Sequence, residues 1–285
     1  MGQEIPGILD DIERGDITPA PCPFEADYHT LWRCYQRPGV SPSGVALIGG
    51  AISDRLGWVF LGGYQGAMQY CFDAVDRSTW SAFVASEDRA HYPATTLAER
   101  DTHVELNGVK SWVAGSRSVA ELVVLVGGRV FLVPAADAEI SHRRRASFLG
   151  DVSQGRCEFK STKVLHTQEL QAPRARMFGP AEPVFIFQAL LGQMLAHAVA
   201  VPALNAAYWR ARVSPVALEL ARIADCELGD EAGAVAAANE AYRQIARDFA
   251  DAIEAARHPL ARDWHVDGLL IGMYSRGIRA RAAAD

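Results

Sequence analysis

Residues Glu105 to Gly115 read ELNGVKSWVAG, and the reading of this stretch decides the fold. Asn and Gly tolerate positive φ better than other residues, so Asn107-Gly108 predicts a two-residue hairpin turn. On its amino side Val104 and Leu106 alternate with His103 and Glu105. On its carboxyl side Val109, Ser111 and Val113 face one way, and Lys110 and Trp112 the other. Such a turn places Trp112 at a fixed position on a sheet. Taken alone, the segment reads as an ordinary hairpin with a packing Trp, and the flanking chain must say whether it is more.

Working outward, short alternating runs surround it. They are Trp80 to Ser86, Leu122 to Val126, Arg129 to Val133, Arg156 to Phe159 and Lys163 to Leu165. Gly127-Gly128 marks a second tight turn, between Val126 and Arg129. Short strands separated by turn signals predict a small antiparallel β-barrel or sandwich over residues 79–172.

On both sides the character is helical. In residues 1–78, Ile5, Ile8, Leu9 and Ile12 recur at helical spacing, a Pro-rich loop follows, and residues 26–36 form a short helix. Residues 45–74 are apolar on nearly every side, which predicts one buried helix. Its GGYQGA lacks the preceding strand and the spacing of a dinucleotide-binding fingerprint. In residues 173–285, Pro183 opens an apolar helix that continues, kinked at Pro202, toward Arg212. Ser214 caps the next helix, with Pro215 in its first turn. Residues 232–257 and Asp263 to Ala284 add two more, enough for a bundle. The fold class is therefore α+β: an N-terminal helical domain (1–78), a middle antiparallel β-barrel domain (79–172) and a C-terminal helical bundle (173–285).

Composition narrows the function classes. The chain has 285 residues, 49% hydrophobic and 22% charged, with a net charge of −6. No basic face is visible, which argues against a nucleic-acid partner. Arg143-Arg144-Arg145 reads as a solvated loop or strand end, with a pocket for a phosphate-bearing ligand as the sharper alternative. The 5 cysteines are widely spaced without CxxC, which points to a reducing cytoplasm and away from structural zinc. The acidic amino terminus is no signal peptide, and the apolar stretches carry polar interruptions, so no membrane span is expected. The 8 histidines show neither HxH nor HExxH, so no metal site is indicated. No GxSxG elbow occurs. Asp225, Glu227, Asp230 and Glu231 read as a loop or helix start rather than a calcium site.

The order of zones and four motifs carry a resemblance. FVASED (Phe83 to Asp88), LNGVKSWVAG (Leu106 to Gly115), FLGDVS (Phe148 to Ser153) and CEFKSTKVL (Cys157 to Leu165) resemble, in order and spacing, the AxxTEP, LNGxKxWITN, LG-x-R-x-S and LxF segments of the acyl-CoA dehydrogenase superfamily. The match covers the middle third of the chain; the flanking thirds match in character. The resemblance implies a shortened, divergent flavoprotein that binds FAD. It places Phe83, Ala85 and Ser86 against the flavin edge, Trp112 beside the isoalloxazine ring, and Ser153 near the ligand. It also exposes departures. Ala114 stands where the family has a hydroxyl on the reactive flavin nitrogen. His91-Tyr92-Pro93 replace the glycine-serine-aspartate after the TEP element, and Asp151 replaces an arginine.

The chemistry that the resemblance implies needs a base to take the α-proton of an acyl thioester while hydride leaves to FAD. A carboxylate in a dry cleft suits that role. The family's carboxyl-terminal glutamate region, rich in GGxGY, is absent. Other members place the glutamate just ahead of a proline-led helix, which here is Glu182. Its other reading is a first-turn acid stabilised by the helix dipole. Two functions follow. One is an acyl-CoA dehydrogenase-like enzyme acting on acyl-CoA or a similar thioester. The other is a degenerate, non-catalytic relative serving as a partner subunit or ligand-binding scaffold. A shortened bundle leaves an apolar face, which predicts a homo-oligomer or a hetero-oligomer.

Overall fold

In the structure, a computed structural model, residues 4–143, 148–171, 177–226, 228, 232–275 and 277–278 are described. Arg144 and Arg145 of the basic run, Glu227, Asp230 and Glu231 of the acidic cluster, and residues 279–284 of the last expected helix lie outside them. The chain divides into two units: Met1–Tyr70 with Ala175–Asp285, and Cys71–Arg174.

The second unit holds the strands β1 (Trp80–Val84), β2 (Thr96–Glu99), β3 (His103–Ala114), β4 (Val119–Val126), β5 (Arg129–Pro134), β6 (Glu139–His142), β7 (Gln154–Leu165) and β8 (Glu169–Leu170). They form two four-stranded sheets, ordered β1-β4-β5-β8 and β2-β3-β7-β6. Val84, Leu122 and Phe131 from one sheet and Leu106, Val113 and Phe159 from the other share a single buried core. That core removes the apolar face of each sheet from water, the main driving force for packing them.

The expected antiparallel barrel is corrected on two counts. β1 runs parallel to β4, and the sheets do not close on one another. The reason is strand length. β2 and β6 have 4 residues each and β8 has 2, too short to bridge the corners of a barrel.

The opening stretch is corrected as well. β3 runs straight through Asn107-Gly108 rather than turning there. Its partner is β7, paired from His103↔Leu165 to Ala114↔Gln154. The register slips between Leu106 and Gly108, so the pair makes a β-bulge. Gly108 has φ +119°, and a Cβ there would sit 2.4 Å from the Ala94 carbonyl oxygen. The Asn107 carboxamide oxygen accepts from Ser161 N–H at 2.7 Å and ties the bulge to β7. A positive-φ pair serves a bulge as well as a turn, and alternation on both sides is equally that of one long strand. A second slip between Lys110 and Val113 breaks strict alternation: Lys110 is buried and Trp112 half-buried. Gly127-Gly128 does form a tight hairpin, with φ of 57° and 81° and Val126 opposite Arg129.

The other unit comprises α1 (Glu4–Glu13), α2 (Glu25–Tyr35), α3 (Pro42–Ala51), α4 (Leu56–Cys71), α5 (Glu182–Ala200), α6 (Ala206–Asp225), α7 (Ala232–Ala255), α8 (Leu260–Val266) and α9 (Leu269–Gly272). The apolar run 45–74 is two helices, not one. Ser53 Oγ bonds back to Gly49 O of α3 at 2.7 Å, where it occupies a carbonyl at that helix's end, and Asp54 accepts from Cys22 N–H at 3.1 Å, which ties the corner to a distant segment. α3 and α5 pack backbone to backbone: a Cβ on Gly50 would fall 1.7 Å from Ala189 O.

α5 ends at Ala200 rather than reaching Arg212. Asn205, at φ 51°, caps α6 by accepting from Tyr208 N–H. That start puts Pro215 inside α6, not at a new N-terminus. The lost backbone bond is offset by burial of Val213, Val216 and Ala217 along the same helix. The span Met177–Ala200 is long and apolar enough to cross a membrane, and 89% of its most apolar window is buried within the protein. α5 is accordingly the core helix of its unit. The final expected helix is interrupted, as α8 and α9 with a break at 267–268.

Candidate functional site

In the sheet unit, the exit of β1 lies beside the second irregularity of β3. Ser86 is exposed, and its carbonyl accepts from Ser111 N–H at 2.8 Å. Trp112, next along β3, donates its indole N–H to Gln154 Oε1 at 3.3 Å, while the Gln154 amide donates to Phe148 O at 3.1 Å. The Arg143 guanidinium donates to Ser111 O at 2.7 Å. Ser86, Ser111, Trp112, Gln154 and Arg143 are thus joined in one hydrogen-bonded patch. It offers an exposed hydroxyl, a cation and an indole held by its edge. Those groups fit a flat aromatic cofactor with an anionic tail.

Beneath the patch sits a pair that the sequence reading missed. Lys110 Nζ lies 2.8 Å from Glu87 Oε1, and the Lys110 side chain is only 2% exposed. The ammonium also reaches Ala85 O at 3.4 Å. Glu87 accepts further from Thr95 N–H at 3.2 Å and from Arg89 at 2.9 Å. Burial on its own raises the Glu87 carboxyl. The bonds from Lys110 and Arg89, the Lys110 charge and the Thr95 N–H outweigh it and bring the pKa from 4.5 to about 2. The available signal was a lysine in the middle of a strand, next to Val109 and two residues before Trp112, which must find a carboxylate if buried.

The remaining expected contacts fit less well. Phe83 is 7% exposed, and its ring packs on Phe72 with centroids 5.5 Å apart, so its side chain presents no open face. Ala114 is 3% exposed and sits in the ladder opposite Gln154. Ser153 Oγ accepts from Arg117 N–H at 2.9 Å and its carbonyl from Ser116 N–H at 3.1 Å, so the hydroxyl already shapes its own turn. In the replaced His91-Tyr92-Pro93 element, Tyr92 stacks under the Arg156 guanidinium at 4.6 Å and accepts a hydrogen bond from it. Pro93 O accepts from Val109 N–H at 3.2 Å. This element therefore braces β3 and β7. Asp151 is exposed.

In the helical unit, Glu182 is the first residue of α5 and is 7% exposed. A π-type turn over Met177–Ala181 delivers it, with Gly179 off helical geometry at φ −108°, ψ −112°. The chain enters α5 at an angle there, which lets a first-turn acid face inward. Burial raises the Glu182 carboxyl to about 7, opposed by the neighbouring Tyr274 hydroxyl. A carboxyl poised near neutrality takes up and releases a proton at modest cost. Tyr274 was not foreseen, because nothing in sequence joins it to residue 182.

No family model matches the chain, and no curated protein matches it. Solved structures do. They include an FAD-dependent dehydrogenase (16% identity, 98% of this chain and 96% of that one, TM-score 0.68). PigA in complex with FAD and proline matches at 13% identity over 99% of this chain and 97% of that one, TM-score 0.65. Butyryl-CoA dehydrogenase from Megasphaera elsdenii matches at 12% identity over 99% and 96%, TM-score 0.63. Likeness along almost the whole of both chains gives the chain the fold of the acyl-CoA dehydrogenase-like flavoproteins.

Proposed function

We propose that the protein is an acyl-CoA dehydrogenase-like flavoprotein. It binds FAD and oxidises an acyl thioester, acyl-CoA or a similar compound, with Glu182 as the base that takes the α-proton. The observation that carries this reading is Glu182 itself, a buried carboxyl with a pKa of about 7 at the head of the core helix. A buried carboxyl that has no charged partner among the described residues is costly to keep, and α-proton abstraction is a use for one. Ser86 and Trp112, with backbone groups of Phe83 and Ala85, would hold the flavin. Arg143 offers positive charge to its phosphates, and Ala114 adds only van der Waals contact. Bound FAD supplies the hydride acceptor. The chain's own task is to fix the thioester, exclude water around Glu182 and hold the abstracted proton on its carboxyl.

Purified protein should be yellow or take up added FAD, and acyl-CoAs should bleach it anaerobically. Glu182→Gln should retain colour and lose bleaching. A colourless protein that takes up no FAD sinks the reading.

A second reading, a non-catalytic relative acting as a partner subunit or ligand scaffold, is favoured by Ala114 and by the committed hydroxyl of Ser153. Under it FAD binds weakly or not at all, and Glu182→Gln changes stability alone. In either case we expect a homo-oligomer or a hetero-oligomer in the cytoplasm. Val266 and Leu269 are 66% and 64% exposed and Met273 42%, an apolar stripe along α8 and α9 that favours assembly. All five cysteines are free thiols, in keeping with a reducing compartment.

A further inference from the structure

Tyr274 follows α9, and its ring packs edge-on against Phe187 of α5, with centroids 6.3 Å apart at 78°. Phe187 in turn stacks on Tyr242 of α7 at 4.2 Å. Tyr242 Oη donates to Ile271 O at 3.0 Å, and Ser275 Oγ donates to the Asn239 carboxamide oxygen at 2.7 Å, so the segment is pinned to α7 on both sides of Tyr274. The Tyr274 hydroxyl is buried and closes no hydrogen bond among the described residues, yet it lies against the Glu182 carboxyl, with the Tyr64 hydroxyl of α4 also near. A buried donor left unpaired is unfavourable, and a pinned one cannot swing out to water. Contacts of this kind are often long in the resting state and tighten as charge forms.

We propose that Tyr274 is the positioning residue for Glu182. Its hydroxyl donates to the carboxylate when Glu182 ionises, holds that form oriented, and loosens when the proton arrives. The role rests on the reading of Glu182 as the base. The phenol does not itself titrate in the working range: burial and the Glu182 charge hold its pKa well above the usual 10.0. Its effect on Glu182 is to oppose the rise that burial causes.

The test is an infrared titration of the full-length protein, in which the difference between wild type and Glu182→Gln isolates the Glu182 carboxyl band. Tyr274→Phe keeps the ring against Phe187 and removes only the hydroxyl. Its carboxyl midpoint should move upward from about 7 by roughly one pH unit, the size of one hydrogen bond to a charged group. In wild type, a tyrosine C–O band should shift at the same pH as the carboxyl, and this band should stay still in Glu182→Gln. That second measurement decides the matter if Tyr274→Phe folds poorly. An unmoved carboxyl midpoint in a folded Tyr274→Phe, or no tyrosine band that follows the carboxyl, overturns the proposal. Should both infrared signals appear in a protein that acyl-CoAs do not bleach, the catalytic reading fails and the pairing stands.

Discussion

Neutralising Glu87 should destabilise the sheet unit by about 3 kcal/mol at pH 7. The pair it forms with Lys110 is 2.8 Å long and the lysine is 2% exposed. Glu87→Gln removes the countercharge and leaves the ammonium with neutral acceptors, the new amide oxygen and Ala85 O at 3.4 Å, among the described residues. Breaking one partner of a buried pair typically costs about 3–5 kcal/mol. A second route gives a similar figure. The carboxyl is held at about 2 against an ordinary 4.5, and at roughly 1.4 kcal/mol per unit this comes to about 3 kcal/mol. Arg89 and Thr95 carry part of it.

The sign follows from the depressed pKa. The stabilisation is complete above pH 4.5 and is lost as pH falls through 4.5 toward 2. At pH 3 less than half should remain. The assay is urea denaturation followed by circular dichroism at pH 7, 5 and 3, comparing wild type with Glu87→Gln. Lys110→Met combined with Glu87→Leu should recover most of the loss, because two apolar side chains leave no buried charge. A cost below about 1 kcal/mol at pH 7 that does not shrink with acid would refute the reasoning. Ser86 and Ser111, the sequence neighbours of Glu87 and Lys110, bond to each other at 2.8 Å, so under the proposed flavin reading Glu87→Gln also weakens uptake of added FAD.

Other perturbations read different parts of the structure. Gly50→Ala drives a methyl into Ala189 O at 1.7 Å and should cost several kcal/mol or abolish folding in a thermal melt, whereas Gly7→Ala, with nothing within 4 Å, should be neutral or slightly stabilising. Burial, with His258 nearby, lowers His197 from 6.5 to about 4 against the pull of the Ser53 carbonyl. The helical unit should therefore lose up to about 3 kcal/mol as pH falls from 6.5 through 4, and His197→Asn should flatten that slope in denaturation curves. Trp112→Ala should weaken FAD binding at least tenfold by fluorescence titration while moving the melting temperature little, since the indole is only half-buried; an unchanged affinity would count against Trp112 as a flavin wall.

The helix–sheet–helix order was legible because it rests on periodicity: Ile5, Ile8, Leu9 and Ile12 all face inward on α1, and Gly127-Gly128 turns as its composition requires. Boundaries set by tertiary partners were not. The corner at Ser53 and Asp54 exists because Gly49 O and Cys22 N–H lie where they do. Pro215 passes through α6 because Asn205 has already begun that helix. In the candidate site, Glu182 could be named from its place before Pro183, but its burial and its neighbour Tyr274 come from segments some ninety residues apart. Glu87 and Lys110 were both visible, and only the fold shows that they meet.

The stretch at 105–115 illustrates why a motif can certify a fold and say little of chemistry. Three of its residues do structural work that is independent of any chemistry. Asn107 ties the bulge to Ser161, Gly108 adopts φ +119° where a Cβ would strike Ala94, and Lys110 neutralises Glu87 beneath β3. Losing any one of the three costs stability whether or not the chain is catalytic. Trp112 and Ala114 are the positions of the stretch on which the proposed flavin contact rests. The discriminating weight therefore falls on Glu182, a buried carboxyl whose polar neighbour among the described residues is the Tyr274 hydroxyl. A chain released from catalysis should exchange that carboxyl for an apolar residue, with a gain in stability. The two readings then part on one measurement. If Glu182→Leu raises the melting temperature and abolishes bleaching, the carboxyl is kept for chemistry; if it lowers the melting temperature, the carboxyl is structural and the catalytic reading loses its main support.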